Sequence, residues 1–267
     1  MFKKIMFLMA LGILVYSCAK VPMSGRTQLA LVDNAELLPM AFVEYDKVLK
    51  EGKVITNTAD GQMVVKVGKR IASAVEKYMK ANGFENELQG FQWEFNLIQE
   101  AIVNAWCMPG GKVAFYTGII PICKDDNGIA VVMGHEIAHA IANHSGERMS
   151  QAMALNLGGQ VGSILLSGRS PETQKAFETL YPIGAQVGVI LPYSRNHELE
   201  ADKMGLIFMA MAGYNPETAI AFWERMASSS KGGRPPQFLS THPAEAARID
   251  KIRAAMPEVM RYYKPVK

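Results

Sequence analysis

The chain has 267 residues, 49% of them hydrophobic and 20% charged, which suits one globular domain and excludes a disordered protein. Its formal net charge of +3 includes Lys3 and Lys4; removing these from the 28 basic residues leaves 26 against 25 acidic ones. A near-neutral body of this kind offers no footprint for nucleic acid, and that class of partner is excluded.

The first 17 residues hold Lys3 and Lys4, then an apolar run from Ile5 to Tyr16, and no acid, which is the pattern of an export leader. The run is too short to span a bilayer. Leu14-Val-Tyr-Ser-Cys18 resembles the lipobox of bacterial lipoproteins; the plainer reading is an uncleaved membrane anchor or a plain secretory signal. That resemblance implies cleavage before Cys18, lipid on its sulfur, and a folded body held at a membrane of the bacterial envelope and facing the periplasm. Ala19, in place of an acid, leans towards the outer rather than the inner membrane. The expected organisation is a leader at 1–17, a lipidated polar tether at 18–29 and one domain at 30–267.

Helical periodicity runs over 34–49 and again over 62–79, where Val64, Val67, Ile71, Val75 and Tyr78 form one apolar stripe. The period then changes to two, with Phe91, Trp93, Phe95 and Leu97 alternating against polar residues, which predicts a strand. Further strands are expected over 102–106 and 112–117, on either side of the turn Pro109-Gly110-Gly111. Together they predict a small antiparallel sheet. Cys107 and Cys123 flank the last strand; export would permit them to pair, and two buried thiols are the other reading.

Asp125-Asp126-Asn127-Gly128 supplies capping chemistry for a helix over 129–143. Apolar, glycine-containing stretches follow at 152–166 and 183–191, both shorter than a spanning helix. Further helices are expected from Arg195, over 216–226 and over 243–255. With no internal repeat and no linker, one α+β domain, mostly helical, is the economical fold class.

The 129–143 helix carries His135-Glu-Ile-Ala-His139. At about 100° per residue the two imidazoles lie only about 40° apart, so both can reach one ion from adjacent turns. Glu136 sits beside that ion without binding it, placed to take a proton from an attacking water. The rest of the helix is apolar, and burying His-Glu-His without partners is costly, which a zinc ion would relieve. His144, nine residues beyond His135, falls about 180° away if the helix continues, and belongs outside the site.

Two histidines leave zinc short of a protein ligand. In Ser194-Arg-Asn-His-Glu198-Leu-Glu200-Ala-Asp202, Glu198 and Asp202 share a helix face while Glu200 lies about 200° from Glu198. Glu198 is therefore the expected third ligand. Asp202 is expected to fix the tautomer of a liganding histidine. The plainer reading pairs both acids with Arg195 and Lys203 on a solvated face. Three protein ligands with one open position make a catalytic rather than a structural zinc site. Donors for a developing oxyanion could come from His242 and Arg248, which taken alone read as ordinary loop and helix residues.

Taken in order, Asn104-Ala105 with Pro109-Gly110-Gly111, His135-Glu-x-x-His139, Ser194-Arg195-x-x-Glu198-x-Glu-Ala-Asp202 and Thr241-His242-Pro243 with Arg248 resemble peptidase family M48. This is the gluzincin family of HtpX-type heat-shock proteases and prenyl-protein endopeptidases. The resemblance spans roughly 30–253 and implies a zincin-like domain, with its sheet beside the active-site helix, binding one zinc through His135, His139 and Glu198. It implies that Glu136 is catalytic, that His242 and Arg248 aid the transition state, and that Asn104 and Ala105 lie on the edge strand that receives substrate. Unlike the HtpX-type and prenyl-processing members, this chain has no membrane spans after its leader, and it looks closer to the lipid-anchored envelope branch. The activity implied is a metalloendopeptidase acting on unfolded or misassembled exported proteins. The alternative is a lipid-anchored chaperone or assembly factor with a latent zinc site, closed by His242.

Overall fold

The computed structural model describes residues 18–157, 171–172, 194–229, 236–242 and 246–265. The leader expected at 1–17 and the apolar stretch at 183–191 lie outside these residues, as does most of the stretch at 152–166. Among the described residues, no helix is long and apolar enough to cross a membrane.

The segment expected to be a loose tether is folded. Strands β1 (Cys18–Lys20) and β2 (Thr27–Leu29) pair antiparallel, and Val21 between them reaches the hydrophobic core. Helix α1 (Asn34–Glu51) starts where the Asp33 side chain accepts from the Ala35 backbone N–H. Helix α2 (Ala59–Ala81) is capped by Thr58 in the same manner and buries Val64, Val67, Ile71 and Val75 as the stripe predicts. The stripe ends on Met79; Tyr78 is only half-buried.

The sheet differs from the antiparallel one expected. Strands β3 (Glu94–Ile98), β4 (Ala105–Met108) and β5 (Lys112–Tyr116) lie in the order β3-β5-β4, with β5 antiparallel to β4 but parallel to β3. The reason lies in β5, which is buried along its whole length and so takes the central place. The β4–β5 hairpin turns through Gly110 and Gly111, at φ of 84° and 83°, a region open to glycine. Folding that hairpin back so that β5 lies between its neighbours leaves β3 parallel to it. The first strand begins at Glu94 rather than Phe91, because Gln92 and Glu94 donate their N–H groups to the carbonyls of the turn residues Gly110 and Gly111.

After a short helical turn, α3 (Ile120–Cys123), the Asp125 side chain caps α4 (Asp126–Ile141) by accepting from Gly128 N–H at 3.0 Å. Helix α4 is buried on nearly every side. It ends earlier than expected: Asn143 takes φ 52°, and a new helix, α5 (His144–Leu157), leaves in another direction. Helix α6 (Arg195–Met211), capped by Ser194, packs along α4. Helix α7 (Thr218–Ser228), the short α8 (Gln237–Thr241) and α9 (Ala246–Val259) complete the described chain. One large core joins α2, the sheet, α4, α6 and α7. Cys107 and Cys123 are both buried in it and unbridged, so the pairing that export would have permitted is not formed.

Candidate metal centre

Helix α4 presents His135 and His139 from successive turns, and α6 brings Glu198 to meet them. His242 arrives from the end of α8, where its N–H to the Phe238 carbonyl and its ring stacked on Phe238 hold it. One ligand atom from each of these four residues lies within 4.8 Å of the others, and all four side chains are buried. His135 Nε2 is 3.1 Å from His139 Nε2 and 3.1 Å from His242 Nδ1. Glu198 Oε1 is 3.3 Å from His139 Nε2 and 2.9 Å from His242 Nδ1.

These spacings test whether a metal would fit. Tetrahedral zinc ligands at about 2.0–2.1 Å from the ion stand about 3.3–3.4 Å from one another, close to the separations observed. The chemistry agrees. Several nitrogens and a carboxylate converge with too few protons to satisfy each other, and burial holds His139 well below the ordinary histidine range and therefore neutral, with a lone pair to give. Burial alone would raise the Glu198 carboxyl, but His242 and Arg248 hold it well below the carboxylate range and ionised. Glu136 Oε1 and Glu198 Oε2 are buried and accept no directed hydrogen bond, although His242 Nε2 is 3.4 Å from the first and Arg248 Nη1 2.8 Å from the second. The donor set fits a divalent cation.

Glu136 points into the same space without joining the quartet. Its carboxylate accepts from the Cys107 backbone N–H, and burial pushes its pKa up to about 7. Cys107 belongs to β4, an edge of the three-stranded sheet. Asn104, just ahead of β4, is buried; its Oδ1 accepts from Ala105 N–H and its carbonyl accepts from Tyr116 N–H.

Asp202 and Arg248 stand behind the quartet. Asp202 Oδ1 is 3.1 Å from His135 Nδ1. Arg248 donates from Nη2 to Asp202 Oδ1 at 2.7 Å, from Nε to Asp202 Oδ2 at 2.5 Å, and stands with Nη1 2.8 Å from Glu198 Oε2. Its guanidinium lies 3.7 Å above the Trp223 ring centre. The solvated face suggested for Glu198 and Asp202 is excluded, since both are buried and Lys203 pairs with Glu258 instead. Pro243 lies outside the described residues.

His144 stands outside the ligand quartet, as expected, but it does not face away from it. It is fully buried, and its Nδ1 lies 2.8 Å from His139 Nδ1. The helix break at Asn143 turns it back towards the site it was expected to face away from. The opening Asn143-His144-Ser145-Gly146 is rich in residues that end and begin helices, and that was the available signal.

Comparison with known proteins gives a match to the family model described as peptidase family M48 over residues 66–256. The mitochondrial metalloendopeptidase OMA1 of Schizosaccharomyces pombe is 36% identical over 183 residues of alignment, which covers 64% of this chain and 49% of that protein. Its namesake from Saccharomyces cerevisiae is 31% identical over 252 residues, 91% of this chain and 70% of that protein. The beta-barrel assembly-enhancing protease of Escherichia coli K12 is 30% identical over 165 residues, 60% of this chain and 34% of that protein. The chain thus spans about half the fission-yeast relative and a third of the bacterial one. These findings correct the expected location. The leading similarities are to proteins named as mitochondrial, which overturns the expectation of a bacterial outer-membrane protein. The comparisons give no support for lipid on Cys18, an exposed thiol.

Proposed function

The chain belongs to peptidase family M48, and on that footing we propose that it is a zinc-dependent metalloendopeptidase whose metal is held by His135, His139 and Glu198. The observation that carries this reading is the convergence of those three side chains, from two helices, at separations suited to one tetrahedral ion. The peptidase domain is 30–267, with the 18–29 hairpin packed on it.

Bound zinc would supply Lewis-acid activation of water and of the scissile carbonyl at neutral pH. Glu136 takes the proton from the attacking water and delivers it to the leaving amine, a role supported by its buried carboxylate beside the quartet. His242, 3.4 Å from that carboxylate through Nε2, is the group placed to donate to the developing oxyanion. Arg248 has its guanidinium engaged by Asp202 and Glu198, which favours holding those acids in place over reaching substrate. Asn104 leads into β4, which opens at Ala105 and passes Glu136 at Cys107. An extended substrate pairing with that edge strand through its backbone needs little side-chain sequence, which suits unfolded or misassembled proteins and a part in protein quality control.

A second reading is favoured by one observation. His242 Nδ1 sits within the ligand quartet, where it would complete a closed, four-protein-ligand site of the structural kind. In that reading the chain is an assembly factor with a latent zinc site. Cleavage of casein separates the two. The enzyme reading expects cleavage that a chelator abolishes, added zinc restores, and Glu136→Gln removes while zinc stays bound. No cleavage in any of these conditions overturns it.

A further inference from the structure

The two histidines of α4 are supported from behind in different ways. His135 meets a carboxylate directly, through Asp202. His139 meets a second histidine, His144, whose far nitrogen Nε2 is 2.9 Å from Glu200 Oε2. Glu200 in turn accepts from Arg26 Nε at 2.8 Å, and its other oxygen accepts from the Ser24 hydroxyl. Arg26 and Ser24 belong to the N-terminal hairpin, more than a hundred residues from His139 in sequence.

The proton positions follow from the chemistry. If His139 gives its Nε2 lone pair to a metal, its Nδ1 must carry the proton, so it donates to His144 Nδ1. His144 then carries its proton on Nε2 and donates to Glu200. The order Glu200, His144, His139 is a carboxylate–histidine–metal support lengthened by one imidazole. Arg26 keeps the end of this chain in place with a fork. Nε holds Glu200, while Nη1 and Nη2 hold both oxygens of Glu147 at 2.9 and 2.7 Å. Glu147 also accepts from His197 Nε2 at 3.0 Å, and the His197 ring stacks on His144 at 4.3 Å between centroids. With the guanidinium filling the space between the two carboxylates, this cluster is occupied by a fixed cation and is not a second metal site.

We propose that His144, Glu200 and Arg26 are positioning residues for His139, and that through them the N-terminal hairpin sets how tightly the chain holds its metal. This rests on the metal-site reading above. The test uses the full chain and measures zinc affinity by competition with a chelator, alongside thermal unfolding of the metal-free protein. His144→Phe, Glu200→Gln and Arg26→Ala are each expected to weaken zinc binding about 10- to 100-fold. His144→Asn, which keeps an acceptor near the position of Nδ1, is expected to retain most of the affinity. Met79→Ala, a core cavity on α2, is the control and should lower the unfolding temperature without changing zinc affinity. Arg26 is partly exposed, so its variant keeps the test informative if His144→Phe does not fold. Wild-type zinc affinity in Arg26→Ala and Glu200→Gln, or equal affinity in the Phe and Asn variants of His144, overturns the proposal. Failure of the wild-type chain to bind zinc overturns the metal-site reading instead.

Discussion

Gly134 and Gly205 press their backbones together where α4 crosses α6: a Cβ on Gly134 would lie 2.5 Å from the Gly205 carbonyl oxygen, and one on Gly205 would lie 2.6 Å from the His135 nitrogen. No side chain fits between the two helices at that point, and the contact is one residue from His135. Close approach is what allows Glu198, from α6, to reach the histidines of α4.

Gly205→Ala is therefore expected to force the helices apart. Overpacking of this kind costs about 1–3 kcal/mol of stability, and here it should also lower zinc affinity, since the displaced atoms include His135 N. Chemical denaturation and zinc titration of the same variant check this. A stability loss with unchanged zinc affinity would mean that the glycine contact serves packing alone.

Asp202 joins His135 to Arg248, and both partners are buried. Asp202→Asn keeps the shape but leaves the guanidinium with one fewer charge partner. Breaking a buried pair from one side costs about 3–5 kcal/mol, and loss of the support behind His135 should weaken zinc about 10- to 100-fold. Asp202→Asn with Arg248→Met relieves the unpaired guanidinium but also strips Glu198 of a charge partner, so stability should recover only in part and zinc affinity not at all, as measured by unfolding and chelator competition.

The Arg26–Glu147 pair gives a pH dependence with a defined sign. Burial alone would raise the Glu147 carboxyl, but the Arg26 guanidinium holds it below the usual carboxylate range. A carboxyl lowered by folding stabilises the native state above its unfolded pKa, and that contribution is lost as pH falls through its folded value. Glu147→Gln should therefore flatten the loss of stability below about pH 4.5, the ordinary glutamate value, with little change in slope at pH 6–8. Unfolding curves across pH 3–8 measure the difference.

Local patterns in the sequence were sufficient for much of this. The α2 stripe, the Asp125 cap and the i, i+4 histidines of α4 each involve residues a turn or two apart, so period and spacing expose them. Glu198 and Asp202 were legible for the same reason, because one helix face carries both. What escaped depended on distant contacts. The parallel pairing of β3 with β5 follows from where the hairpin docks, which no period records. His144 was misplaced because one residue, Asn143, leaves the helical region and redirects everything after it. The contacts of Arg26 were invisible because the 18–29 segment reads as polar and short, whereas Glu147 and Glu200, which hold it, lie more than a hundred residues away.

Cys107 and Cys123 are unbridged, and burial pushes both thiols up, so neither forms thiolate in the native fold. A thiol reagent should modify Cys18 in the native protein and reach the other two only after denaturation. Mass spectrometry of the labelled protein reads this out, and labelling of Cys107 without denaturation would show that the sheet beside Glu136 opens readily.

The central claim is that one divalent cation is gripped by α4 and α6 together. The most direct measurement is anomalous diffraction at the zinc absorption edge from crystals of the metal-loaded chain. One peak is predicted, at about 2.0–2.2 Å from His135 Nε2, His139 Nε2 and a Glu198 oxygen, and absent in His139→Ala. A peak elsewhere, or zinc retained in place without Glu198 among its neighbours, would contradict the account.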